Sequence, residues 1–255
     1  MKRFLPRANI LATVIALGVN VLATGLPLNG KNTATISDQF KVYFVPAGYV
    51  FAIWGVIYIG WIAFSIYQAL PAQRNNPRLQ KIGWLYAVSG VLNAGWLFTW
   101  HYELLPLSVV VMVALLSSLI ALYVRIDNGR ARVSNIEKWC VNIPFSVYLG
   151  WISVATIANI TDLFYYWHWD GWGIAPEVWA VIMLIVATGL ALAMTWTRRD
   201  LGYLLVFVWA FIGIAAKQAP TPIVANTAWV MVALIGLMIL FAIFYRNKVA
   251  LPVKS

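Results

Sequence analysis

Residues 144–159, reading P-F-S-V-Y-L-G-W-I-S-V-A-T-I-A-N, set polar and small side chains inside an otherwise lipid-soluble run. Tyr148, Trp151, Ala155 and Asn159 recur at steps of three and four, so they share one helix face, with Ser153 and Thr156 beside it. A Trp ring over small residues with an amide nearby suits a flat apolar ligand or a close helix neighbour. Two further stripes mix rings with polar groups. Trp54, Tyr58 and Trp61 follow Pro46 on one face, with Gly55 open to close approach, and Ser89, Asn93, Trp96 and Trp100 form the other stripe. An Asn within hydrocarbon requires a hydrogen-bond partner, either on another helix or on a ligand. Ordinary helix packing competes with ligand binding at every one of these residues.

Other groups with chemical potential are sparse. A lysine as late in the chain as Lys217 invites a retinal Schiff base, but no intramembrane carboxylate offers a counter-ion. Its place beside Gln218 and Pro220 points instead to a side chain snorkelling at the outer edge. His101 and His168 are candidate haem ligands, yet they sit among Trp100, Tyr165, Tyr166, Trp167, Trp169 and Trp172, as exposed members of an interfacial aromatic belt would. Asp162, Asp170 and Glu177 read as solvated acids of outer loops. One cysteine, Cys140, excludes an intrachain disulfide and a multi-cysteine metal site, and two histidines exclude a di-iron histidine cluster. No catalytic group, metal site or obligatory cofactor is expected.

The elements that must position these stripes are membrane helices. The chain is 62% hydrophobic and 10% charged, with a mean hydropathy of +0.80, far from the roughly 25% charged residues of a soluble domain. A span needs about 20 apolar residues. Eight windows qualify: 8–28, 46–70, 82–101, 104–124, 139–160, 176–196, 201–216 and 224–245, the seventh being the shortest. Gly30 and Asn32, Pro71 with Asn75-Asn76-Pro77, Asp127-Asn128-Gly129, Asp170-Gly171, and Pro220 with Pro222 punctuate them. With the N-terminus in the cytoplasm, 15 of the 18 basic residues fall on the inner side, and Lys31, Lys41 and Lys217 remain outside. The positive-inside rule therefore predicts an all-α bundle of eight spans with both termini cytoplasmic. The net charge of +10 reports membrane orientation, so the bilayer rather than nucleic acid is the expected partner. The first apolar run is about twenty residues, longer than the 7–15 of a cleaved signal, and is expected to stay as a span.

Depth links the stripes. At about 1.5 Å per residue, Trp54 lies roughly 12 Å from the outer end of its span, and Trp96 and Trp151 lie about 20 Å from the inner ends of theirs. All three fall in the outer half of the bilayer, where they suggest one pocket.

The three segments resemble the TspO/MBR family of tryptophan-rich sensory proteins, also called translocator proteins. The resemblance rests on Pro46…Phe51…Trp54…Tyr58, on Leu92-Asn93…Trp96, and on Trp151-Ile152-Ser153-Val154-Ala155-Thr156…Asn159. It implies a five-helix core over residues 1–160, followed here by three additional helices over 161–255. It also implies a core that is often a homodimer and that binds porphyrins and other flat hydrophobic molecules beneath the first extramembrane loop. On that analogy Trp54, Asn93, Trp96, Trp151 and Ala155 line the pocket. Tyr148 matches an aromatic position of the family, and Tyr58 and Asn159 complete the stripes. Val147 stands where the family usually has Pro, and the loop at 29–45 has no Trp. The expected function is a membrane sensor or receptor for a porphyrin or related tetrapyrrole, in a bacterial inner membrane. A transporter of such molecules is the first alternative, and a tetrapyrrole- or isoprenoid-modifying enzyme the second.

Overall fold

Apolar runs bounded by Pro, Gly and Asn fold here as helices and nothing else: the computed structural model describes residues 4–25 and 28–249, and no strand occurs among them. Lys2, Arg3, Leu26, Pro27 and Lys254, which enter the charge count or the first span, lie outside the described residues. Eight helices have 17 or more residues: α1 Phe4–Gly25, α2 Ile53–Ala69, α3 Leu85–His101, α4 Leu105–Arg125, α5 Ile143–Tyr166, α6 Pro176–Arg198, α7 Leu201–Lys217 and α8 Pro222–Val249. Each coincides with one expected window. Six are long and apolar enough to cross a membrane, α2 together with the 3-10 turn Gly48–Ala52 that leads into it, and α3 and α7, of 17 residues each, are the two that fall short. The chain is an integral, multi-pass membrane protein.

Local signals fix the helix ends. Proline opens α4, α5 and α6, where its missing N–H removes an orphan donor. Asp200 caps α7 by accepting from the Tyr203 N–H. Just before it, Arg199 turns the chain at φ 50°, and Gly129, at φ 80°, packs so closely on the Arg198 carbonyl that a Cβ would lie 2.8 Å away.

The helices form two groups. In the first, α1 packs on α2 and α3, α3 on α4, α4 on α5, and α5 returns to α2, closing a five-helix ring. In the second, α8 packs on both α6 and α7, and α7 docks on α5. Lipid is as apolar as Leu, so such docking rests on close packing of small residues. Gly150 supplies it here, with α7 residues Tyr203 and Val206 just over 3 Å from where its Cβ would be.

Polar ties secure both ends. At the basic end, Arg78 donates to the Ile126 carbonyl, Glu137 and Asn142, each at 2.7 Å. Arg198 pairs with Asp127 at 2.7 Å. The buried Asp200 carboxylate accepts from Tyr123 of α4 and Ser146 of α5. A π-helical turn, Lys138–Asn142, leads into α5. At the opposite end, Lys31 pairs with Glu103 and Lys217 with Asp38, and the Tyr43 hydroxyl donates to Glu177 at 2.7 Å, which raises the Tyr43 phenol above its ordinary range.

Two sequence expectations fail at this opposite end. His101 is not an exposed belt residue: it is fully buried, its Nε2 is 3.1 Å from the Thr33 hydroxyl and its Nδ1 is 3.2 Å from the Leu28 carbonyl. The loop folds back over the end of α3 and uses the imidazole as a clasp. Asp162 is not a solvated loop acid. Because α5 runs on to Tyr166, past the expected end at 160, the carboxyl group stays in the helix, 1% exposed and close enough to feel Lys217.

Candidate ligand site

The site is built around Trp54, in the first turn of α2. Its ring stacks on Tyr58 at 5.9 Å and meets Trp61, Tyr148 and Trp151 edge-on, each at 6.3 Å. Phe51 closes on Trp151 at 5.7 Å, and Trp61 on Tyr148 at 5.1 Å. The three-and-four spacing on α2 and α5 thus brings two ring stripes face to face, and edge-on pairs are the arrangement that ring quadrupoles favour.

Asparagines from two other helices border the cage. The Tyr58 hydroxyl donates to Asn20 Oδ1 at 2.8 Å, and Asn20 Nδ2 donates to Asn93 Oδ1 at 2.8 Å. With its oxygen engaged, Asn93 turns its amide nitrogen toward the cage. Neither that nitrogen nor the Tyr148 hydroxyl has a hydrogen-bond partner in the protein. The indole N–H groups of Trp61 and Trp151 are likewise buried and unpartnered. Four hydrogen-bond donors without a protein acceptor therefore gather in one aromatic cage.

The remaining predicted residues fall beside it. Trp96 Nε1 donates to Asn159 Oδ1 at 3.1 Å, Asn159 Nδ2 donates to Ser108 at 3.0 Å, and Trp96 stacks on Trp100 at 5.7 Å. Among the described residues no ring pair joins Trp96 to Trp54 or Trp151. The polar groups of Trp96 and Asn159 answer each other, and Ala155 lies half-buried between Trp151 and Asn159 on α5. Sequence reasoning passed over Asn20, a lone polar residue in the first apolar run. The requirement that an intramembrane Asn find a partner was the signal that could have found it.

The cage is closed by its own rings: Trp54, Tyr148 and Trp151 are each less than a tenth exposed. A separate cavity of about 1490 Å³ runs outside it between α2, α5 and α7, lined on its inner wall by Ile53 and Val147, the chain neighbours of Trp54 and Tyr148. None of the eight predicted site residues lines this cavity. No group of His, Cys, Asp and Glu able to hold a metal ion occurs among the described residues.

A five-helix ring with a buried ring-and-amide cage, extended by three more helices, defines a class of multi-pass membrane protein with an internal aromatic site. The family model described as TSPO-like protein matches residues 6–241, and the chain belongs to that family. The match continues past the segments that carry the motifs and through most of α8. No curated protein and no solved structure matches the chain.

Proposed function

We propose that this protein is a membrane sensor that binds a flat hydrophobic ligand, a porphyrin or related tetrapyrrole, in the cage around Trp54. The observation that carries this reading is the set of four unpartnered donors, on Trp61, Asn93, Tyr148 and Trp151, among contiguous rings. A buried donor left without an acceptor costs about 1–3 kcal/mol, so a cage built for packing alone would replace such groups with Leu or Phe. A tetrapyrrole answers both features, since its wide π face meets the rings and its carboxylates accept hydrogen bonds. Family membership supports the same reading. The lateral cavity behind Ile53 and Val147 favours a second reading, in which the ligand passes from the bilayer through the protein as transported cargo.

The test is intrinsic Trp fluorescence of the purified protein titrated with protoporphyrin IX, repeated with Trp151→Phe and Asn93→Ala. Saturable quenching that weakens in both variants supports the cage. Linear quenching that ignores both substitutions refutes it. Passage of protoporphyrin across sealed proteoliposomes separates the transporter from the sensor.

A further inference from the structure

The cavity between α2, α5 and α7 has a polarity gradient that the cage does not use. Its walls along the helices are apolar, formed by Ile53, Val56, Val147 and Leu205, with Trp209 at the far end. From Leu201 to Trp209 it follows α7 for about 12 Å, close to the hydrocarbon depth of one leaflet. Its mouth lies at the basic end, where Arg130, Arg132, Lys138, Arg198 and Arg199 line it and Asp200 is the one acid. That acid is turned inward, accepting from Tyr123, Ser146 and the Tyr203 N–H. Arg198 is neutralised by Asp127, and Arg199 lies 4.6 Å over the Tyr245 ring. Arg130 spends its Nε on the Thr197 carbonyl and keeps the rest of its guanidinium. Arg132 and Lys138 have no ion pair or side-chain hydrogen bond among the described residues. Trp139 and Trp196, 66% and 72% exposed, flank the mouth at headgroup level, as interfacial Trp does.

We infer that this groove is a binding site for an anionic phospholipid, its phosphate held by Arg130, Arg132 and Lys138 and one acyl chain laid along α5 and α7. Charge complementarity selects this occupant. A neutral lipid leaves uncompensated cations at the mouth, whereas an anionic headgroup draws roughly 1 kcal/mol from each nearby Lys or Arg. The volume also exceeds the roughly 300–1000 Å³ of ordinary small-molecule pockets and suits a longer, chain-bearing ligand. The inference is independent of what occupies the cage.

The experiment is native mass spectrometry of the full chain in mild detergent, titrated separately with phosphatidylglycerol, phosphatidylcholine and glycerol phosphate. The variants are Arg132→Gln with Lys138→Gln, which alter only the mouth, and Leu205→Trp, which fills the groove. Saturable phosphatidylglycerol binding is expected at least tenfold tighter than phosphatidylcholine. It falls about tenfold in the double variant, whereas Leu205→Trp weakens both lipids and free glycerol phosphate competes poorly. Equal binding of the two lipids overturns the proposal, as does unchanged phosphatidylglycerol binding in the double variant. Competition by glycerol phosphate as strong as by the lipid also overturns it, reducing the site to a bare anion mouth. If Leu205→Trp instead splits a dimer while lipid binding stays the same, the groove seats a second copy of the chain and the proposal fails.

Discussion

Asn20 decides how the cage is polarised. It accepts from Tyr58 and donates to Asn93, so the Asn93 oxygen is consumed and its amide nitrogen is left without a partner in the protein. Tyr148, 1% exposed, then carries a buried hydroxyl bonded to nothing in the protein. Tyr148→Phe separates structure from function at this point. Removing an unpartnered buried hydroxyl relieves its desolvation cost, so the melting temperature in detergent should hold or rise. Protoporphyrin affinity should fall about five- to tenfold, the effect of losing one hydrogen bond of roughly 1 kcal/mol. A lower melting temperature with unchanged affinity would mean that the hydroxyl serves packing, and would remove Tyr148 from the site. The ring stripes themselves were legible, because a helical period carries Trp54, Tyr58 and Trp61 to one face whatever packs on them. The asparagine relay was not, because it joins three helices and no sequence spacing encodes which helices meet. Asp162 and His101 misled for the converse reason: polar residues near a span end read as solvated until a longer helix or a folded-back loop buries them.

At the scale of the element, α7 has a role its short apolar sequence does not announce. The chain enters α2 through Ala47 and a 3-10 turn, Gly48–Ala52, and within a bilayer the backbone groups that such a turn leaves unpaired must find partners in the protein. It finds them on α7: the Ala47 N–H donates to the Gly213 carbonyl at 3.1 Å, and Trp209 Nε1 donates to the Val50 carbonyl at 2.9 Å. The approach needs a glycine, since a Cβ on Gly213 would overlap Val50 Cγ2 and lie 3.1 Å from Pro46 Cβ. Because Trp54 lies one turn beyond Val50, α7 helps to hold the central ring of the cage. Gly213→Leu should therefore destabilise the protein by about 1–3 kcal/mol through overpacking and should also weaken tetrapyrrole quenching. Gly189→Ala, where a Cβ meets nothing within 4 Å, is the control and should leave both unchanged. If Gly213→Leu melts like the control, α7 is an accessory to the ring and not part of the site's support. The eight helices were readable from hydropathy alone. That the seventh supports the second was not, since the contact depends on two small backbone groups rather than on a pattern.

For the whole molecule, the number of crossings turns on the two shortest spans, α3 and α7. Six are long and apolar enough, whereas α3 and α7, at 17 residues, extend only about 25 Å against roughly 30 Å of hydrocarbon. The ends of the bundle argue that both cross. Arg78, after α2, bonds Ile126 and Glu137 after α4, and Arg198, the last residue of α6, pairs with Asp127, so these connections meet at one end. To return from Arg78 to the loop that His101 clasps, α3 must traverse the bundle, and exposed Trp84 and Tyr102 bracket it as interfacial residues do. A shortfall of a few ångströms is met by local thinning of the bilayer at modest cost. Single cysteines introduced into a Cys140→Ser background test this. Thr35→Cys and Ala219→Cys should react with a membrane-impermeant maleimide in intact cells, and Asn75→Cys and Asn135→Cys only after lysis. Were α3 not to cross, the polarity of every later connection up to α7 would invert, and Asn135→Cys would be labelled from outside. That result would set Arg130, Arg132 and Lys138 on the outer face, against the positive-inside distribution that orients the rest of the chain.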